Sequence, residues 1–433
     1  MVDLADYIDR FLAAVATQTR NKDLTDLLTL NPANNAGPKR AKWHLPNDFE
    51  LHLVPRRYHE VIRSYLKMMQ AVYVNHLLRE AFVAANDMCT NLIRAYQYET
   101  NHLSSVVMMC LSELKAMYLV SQAQNPEDLT LFEYQEVAEL GGEPYKASLL
   151  EEFGTTVNRG FKVVLNDKPA EPHHSKRSHV YFYLGMLLKI YFKLGKLELA
   201  RLVEKAVIGS NFALPKPKGL QIPYAIEYWY YLALLSIDDG DYAHARDLLS
   251  RALKHLGKLD NVTATKNYAR LMLLLIALSY EAHYRLKPEA WEFVPELVPI
   301  YRDGFFAAIN DGDIARYEQL MEKYQLLLLR NHLYVLFVRL RLRLHLNLVR
   351  KTTKLVQPTL DEGKRHIISF DAYQKAFAVS SGKPDSDIAI DDLECVLASL
   401  IGDGKVKGYL SHVNRCIVLS KNDPFPSQLP TPK

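Results

Sequence analysis

Between Arg330 and Lys354 the chain places seven lysine and arginine side chains and no carboxylate. Side chains of that type at that density bind anions. A guanidinium is a planar fork that grips phosphate oxygens, and each phosphate it neutralises releases counterions, so affinity falls steeply with salt. The stretch FVRLRLRLHLNLVRKTTK, 337–354, alternates apolar and basic residues in twos, as a half-buried strand does. A lone strand between helical segments has no sheet to join and is not stable. As a helix the same residues put Leu336, Leu340, Leu344 and Leu348 on one side, Arg339, Arg343 and Arg350 along an adjoining strip, and Arg341 on another side. A helix is therefore expected. Its basic residues, with Arg341, Lys351 and Lys354 included, are candidates for binding nucleic acid or the acids of a partner protein. The third alternative is a solvated face.

Other chemistries find no support. A zinc peptidase of the deneddylase type needs two histidines spaced HxH and a downstream aspartate, and no HxH occurs. His173 and His174 sit in a polar stretch with no thiolate nearby. A phosphate loop needs four residues between its glycines and then Lys and Ser or Thr; GTTVNRGFK, 154–162, has five and then Phe-Lys-Val. No GxSxG elbow is present, and Cys395, within an apolar helical run, reads as core. No residue is assigned a catalytic role, no metal ligand is named, and no cofactor is expected.

The elements that must carry the basic strip are mostly helical. The chain has 433 residues, 49% apolar and 24% charged, with a net charge of +4. That composition suits a globular protein with a real core, and any affinity for polyanions must come from local patches. The four cysteines form no CxxC pair and read as reduced residues of an intracellular protein. The N-terminus carries acids early and has no basic region of a secretory signal; the longest wholly apolar run, 271–278, is far short of a membrane span. Residues 2–17 form an amphipathic helix with Leu4, Ile8, Phe11 and Leu12 on one side, 31–57 a linker, and 58–123 long helices, followed by polar breaks at 124–146 and 166–179.

An internal echo follows. IYFKLGKLELARLVEKAV, 190–207, and LSIDDGDYAHARDLLSRAL, 235–253, align Gly195 on Gly240, Ala200 on Ala245 and Val203 on Leu248; a weaker copy has its glycine at Gly312. Each reads as a helical hairpin whose glycine ends one helix in the left-handed conformation and whose alanine lets the next pack closely. Such units stack, which predicts an all-α, TPR-like right-handed solenoid. Tyr228, Trp229, Tyr230 and Tyr231 point around a helix and read as packing, not base stacking.

The C-terminal part changes character. SFDAYQKAFAV and IDDLECVLASLI read as helices, and KVKGYLSH and CIVLSK as two strands. Helix, helix and two-stranded wing make a winged-helix subdomain. Its second helix carries Asp391, Asp392 and Glu394 and no Lys or Arg, which argues against insertion into a major groove. The wing is basic, with Lys405, Lys407 and Arg415 as nucleic-acid candidates and Lys405 and Lys407 expected on one strand face; alternatively, these lysines only blunt a strand edge. The expected organisation is an N-terminal helical region, 1–165, a helical repeat, 175–355, a winged helix, 360–421, and an extended tail, 422–433.

The motifs also resemble a family. SKRSHVYFYLGMLLKIYFKLGKLEL, 175–199, is similar to the "K-R…LxKIYFKLxKLxL" segment of one branch of PCI-domain proteins. LRLHLNLVRKT resembles that branch's "Y-R-N-L-F-K-K" helix, with Asn347, Leu348, Arg350 and Lys351 in place and His345 and Leu346 departing. DDLECVLASLIGDGKVKGYLSH…VLSKNDPFP is similar to its C-terminal "ECILANLI…IKGYISH…VLSKxxPFP". The branch holds the subunit-twelve-like protein of the COP-nine signalosome and the PCI subunit of the TREX-two mRNA export complex. The resemblance implies a PCI domain in a non-catalytic nuclear scaffold subunit acting in transcription-coupled mRNA processing, splicing and export. It implies pairing through the winged helix with a second PCI protein, a small acidic Dss/Sem-type subunit as partner, a shared basic surface for RNA or DNA, and no membrane. Asp392, Leu393, Val396, Leu400 and Tyr409 are the docking candidates. The alternative is a non-catalytic subunit of the signalosome or of a proteasome-lid-like assembly.

Overall fold

In the computed structural model the described residues are 3–17, 21–33, 36–124, 148–168, 174–210, 213–257, 262–284 and 287–426. The polar break expected at 124–146 lies outside them except for Gln124, as do 169–173 of the second break, with His173, and the tail beyond Pro426. The chain divides into two compact units, 1–231 and 232–433.

The first unit is helical. Helix α1, Leu4–Thr17, buries Leu4, Tyr7, Ile8, Phe11 and Ala14, the inward stripe that a 3.6-residue period dictates. It packs on α2, Asn21–Leu28. The linker expected at 31–57 contains the short helix Gly37–Arg40, whose Arg40 is buried and donates from Nη1 to the Leu27 carbonyl, 3.1 Å, and to Tyr65 Oη, 2.7 Å. Three longer helices follow: α3, His59–Gln70, α4, Leu78–Tyr96, and α5, Ser104–Gln124. Among the described residues the stretch Asn101–Ala123 is the one helix long and apolar enough to cross a membrane. Half of it is buried, and α5 packs against α2, α4 and α6, Leu149–Leu165, as a core helix does. Helix α6 starts on a capping box between Ser148 and Glu151. Helices α7, Val180–Lys193, and α8, Leu197–Gly209, form the first expected hairpin, with Gly195 at φ 66° and Ala200 fully buried. Tyr228, Trp229, Tyr230 and Tyr231, on α9, Ile222–Asp238, are all buried and pack as read from the sequence.

The second unit holds two more such turns. Gly240, φ 79°, separates the end of α9 from α10, Tyr242–His255, and Asp241 caps α10 by accepting from the His244 N–H, 3.0 Å. Gly312, φ 74°, ends the short helix Ala307–Asp311, and Asp313 caps α12, Ile314–Lys323, in the same way. Glycine takes the left-handed position at no steric cost and aspartate satisfies the first free N–H groups of the next helix. Helix α11, Val262–Glu281, packs on α10. The ambiguous basic stretch is helix α13, Tyr334–Val356, with Leu336, Leu340, Leu344 and Leu348 buried together.

The winged helix consists of β1, Ile367–Ser369, α14, Phe370–Ser381, α15, Ile390–Gly402, β2, Gly408–Ser411, and β3, Cys416–Leu419. Its sheet is antiparallel in the order β1-β3-β2, with Ile367 opposite Val418 and Gly408 opposite Leu419. Both wing strands were expected; β1, three residues long, was not. Ser369 leaves β1 and caps α14, accepting from the Asp371 N–H, 3.2 Å. The hydroxyl of Ser380 ties α14 to the Gly312 turn: it accepts from the Ile314 N–H, 2.9 Å, and donates to the Gly312 carbonyl, 2.5 Å.

Candidate functional site

Burying the leucine stripe of α13 leaves Arg339, Arg343 and Arg350 on the flank, and each meets an aromatic ring. The Arg339 guanidinium carbon stands 5.6 Å from the centroid of Tyr242, that of Arg343 4.3 Å from Tyr280, and that of Arg350 5.5 Å from Phe425. Arg343 is fixed further, with Nη1 donating to the Tyr280 carbonyl, 2.6 Å. None of the three makes an ion pair among the described residues. A ring face attracts a cation through its quadrupole without neutralising it, so position is restrained and charge is kept.

The three arginines line one groove of about 520 Å³, with Glu281, His283, Asn347 and Lys405. Burial pulls the pKa of Arg343 down, Glu281 opposes this, and the like charge of Arg350 adds to it. Arg343 stays charged all the same, because guanidinium does not deprotonate in proteins. His283, at φ 61°, is held below the usual imidazole range by burial and then by Arg343 and Lys405. With Glu281 the one carboxylate among these lining groups, the groove carries a net positive charge. Lengths of polyanion with several phosphates engage several such cations at once.

The other basic candidates lie elsewhere. Arg341 pairs with Glu318, Nη2 to Oε1 2.6 Å, and Lys351 reaches Asp311, 3.0 Å to the carbonyl and 3.6 Å to the carboxylate. Lys354 is exposed. The expectation that Lys405 and Lys407 share a strand face is corrected, because both precede β2. Lys405 lines the groove beside Asp403, 3.0 Å, whereas Lys407 pairs with Asp423, 3.1 Å. Arg415 is exposed at the end of the wing turn, φ 46°.

Of the docking candidates, Asp392 is exposed, Val396 is half-buried and Tyr409 is 63% exposed. Leu393 and Leu400 are corrected: with Leu397 they form the inward stripe of α15 and are buried in the winged-helix core. Cys395, expected in the core, is exposed, because it lies two residues from Leu393 and so on the opposite side of the helix. The residues that sequence reasoning missed are His283 and the three rings. Phe425 lies within the quoted DPFP motif, but nothing local signals its contact with Arg350. Among the described residues no group of three or more His, Cys, Asp or Glu side chains is placed to hold a metal.

Comparison with known proteins agrees with the fold. Residues 321–421 match the PCI domain, and the chain is 40% identical, over 98% of both lengths, to a protein of Debaryomyces hansenii named "Protein CSN12 homolog". The chain belongs to the CSN12-like branch of the PCI-domain family. Two more distant PCI relatives are "PCI domain-containing protein 2" of Xenopus laevis, 24% identical over 79% of this chain and 83% of the relative, and "COP9 signalosome complex subunit 12" of Eremothecium gossypii, 29% identical over 64% and 67%. This PCI domain joins helical hairpins to a winged helix, and its cationic groove is lined from both, by α13 and by Lys405.

Proposed function

We propose that this PCI protein is a non-catalytic scaffold subunit of a nuclear complex that couples transcription to mRNA processing and export, and that its groove contributes to the complex's nucleic-acid surface. The observation that carries the reading is the set of three arginines held by rings and left unpaired by carboxylates. A merely solvated strip would not be restrained, and a strip evolved for internal packing would be neutralised, as Arg341 is. The phosphate backbone is the ligand such a sequence-tolerant arrangement fits. The winged helix pairs with a second PCI protein. Its exposed apolar side chains, Tyr409, Val413 and Val379, support a docking role. A small acidic Dss/Sem-type subunit binds the helical hairpins.

The second reading is membership of the signalosome or a related ubiquitin-pathway assembly, favoured by the name of the Eremothecium relative. Affinity purification from native cells with nuclease treatment, followed by mass spectrometry, separates the two. Recovery of a second PCI protein, a small acidic subunit and mRNA-export factors is the expected result. Recovery of signalosome subunits and cullins would refute the mRNA reading and make the groove a site for protein acids. Truncation after Leu355 removes the winged helix and abolishes pairing under either reading.

A further inference from the structure

Phe425 lies past β3, on the segment that leaves the wing. That segment is anchored just before the ring: the Lys407 N–H donates to the Pro424 carbonyl, 2.9 Å, Lys407 Nζ pairs with Asp423, 3.1 Å, and the Ser420 N–H donates to the Lys407 carbonyl, 2.8 Å. Phe425 is thereby delivered to α13, its ring centroid 5.5 Å from the Arg350 guanidinium carbon. The Arg350 side chain makes no hydrogen bond or ion pair among the described residues. It also stands close enough to Arg343 for the two charges to repel, in a half-buried groove where screening by water is reduced. A long, flexible arginine with no partner and a like-charged neighbour turns outward unless something holds it, and the ring face supplies that attraction.

We infer that Phe425 is a positioning residue: by holding Arg350 in line with Arg339 and Arg343, it completes a row of three cations that meets several phosphates of one single strand together. From Arg339 to Arg350 the row extends about 16 Å along the helix at 1.5 Å per residue. The inference rests on the groove binding nucleic-acid phosphates, as proposed above. The segment 423–425 is then part of the binding surface without touching the ligand, and the groove is complete only while that segment is folded back on the wing.

The test is fluorescence anisotropy with a labelled oligouridine RNA, titrated with the full chain at several salt concentrations. Arg339→Ala examines the groove alone, and it weakens binding if the groove is used. Phe425→Ala is expected to weaken binding about two- to fivefold, the range that one cation–ring contact carries. It should also flatten the plot of log affinity against log salt by about 0.7, one phosphate of a single strand. Phe425→Trp retains wild-type binding. Phe425→Leu keeps the apolar bulk and the unfolding midpoint yet binds like Phe425→Ala. Added to Arg350→Ala, Phe425→Ala has no further effect. The inference is overturned if Phe425→Ala and Phe425→Leu bind with the wild-type salt slope while Arg339→Ala weakens binding. It is equally overturned if Phe425→Ala costs as much in the Arg350→Ala background as alone, because that marks general damage to the wing. If Arg339→Ala and Arg350→Ala both leave binding unchanged, the groove reading fails first, and the role of Phe425 falls with it.

Discussion

Gly312 and Gly240 provide a matched pair of perturbations in which the same substitution meets different surroundings. Both have left-handed backbones, φ 74° and 79°, so alanine at either costs about 1–2 kcal/mol from the conformation alone. At Gly240 an added Cβ meets nothing within 4 Å. At Gly312 it would stand 3.1 Å from Cα and Cβ of Leu348 and 3.2 Å from its amide nitrogen. Two of these three atoms are backbone of α13, which cannot yield as a side-chain tip does. Overpacking of that kind adds about 1–3 kcal/mol. Gly312→Ala should therefore lose about 2–5 kcal/mol and Gly240→Ala about 1–2 kcal/mol. In a unit of this size each kcal/mol lowers the thermal midpoint by about 2–4 °C. Thermal unfolding of the two variants, followed by circular dichroism, is expected to place Gly312→Ala several degrees below Gly240→Ala. Equal midpoints would refute the argument from close approach and leave only the shared backbone conformation.

Single-stranded RNA engaging the three groove arginines should bind with a log–log salt slope of about −2, so affinity falls about twentyfold between 50 and 200 mM salt. Arg341→Ala, on the same helix but already paired with Glu318, should leave that slope unchanged in the same titration. His283 is held below the ordinary imidazole range by burial and then by Arg343 and Lys405, so its gain of positive charge, and with it tighter RNA binding, is expected only at a pH below that range, and His283→Asn should flatten the anisotropy profile. His345, pushed down to about 4 by burial and then by Arg341, contributes stability that is present above its unfolded value and lost as the pH falls. Between about pH 6.5 and 4 the loss approaches 3 kcal/mol, and urea unfolding across that window should show it for the wild type and not for His345→Leu. Native thiol titration should find one fast cysteine per chain, Cys395, because Cys89, Cys110 and Cys416 are buried.

The parts of the fold legible in the sequence are those in which the signal is local. Leu336, Leu340, Leu344 and Leu348 announce a helix by spacing alone, and Gly240-Asp241 and Gly312-Asp313 announce a helix end and a helix start in two adjacent residues. The flank that carries Arg339, Arg343 and Arg350 follows from the same spacing. The surroundings of those arginines do not. Tyr242, Tyr280 and Phe425 reach them from distant parts of the chain, and only the packing of α10, α11 and the wing brings the rings into place. The burial of Leu393 and Leu400 and the exposure of Cys395 share one cause that the sequence does not carry, since the inward side of α15 depends on where the sheet lies. Strand β1 has three residues, too few for an alternating pattern to register.

The boundaries of the PCI match have a practical consequence for dissecting the protein. Residues 321–421 contain all three groove arginines and none of their three rings: Tyr242 and Tyr280 precede that span and Phe425 follows it. A fragment cut at those ends would keep every guanidinium and release each from its support. It would also lack Gly312, whose turn Ser380 clasps. Polyanion binding by such a fragment would measure loose positive charge on a frayed helix, and a mutant series made in it would rank the arginines by accessibility. Only a chain that starts before Tyr242 and ends after Phe425 can report which of them the groove orients.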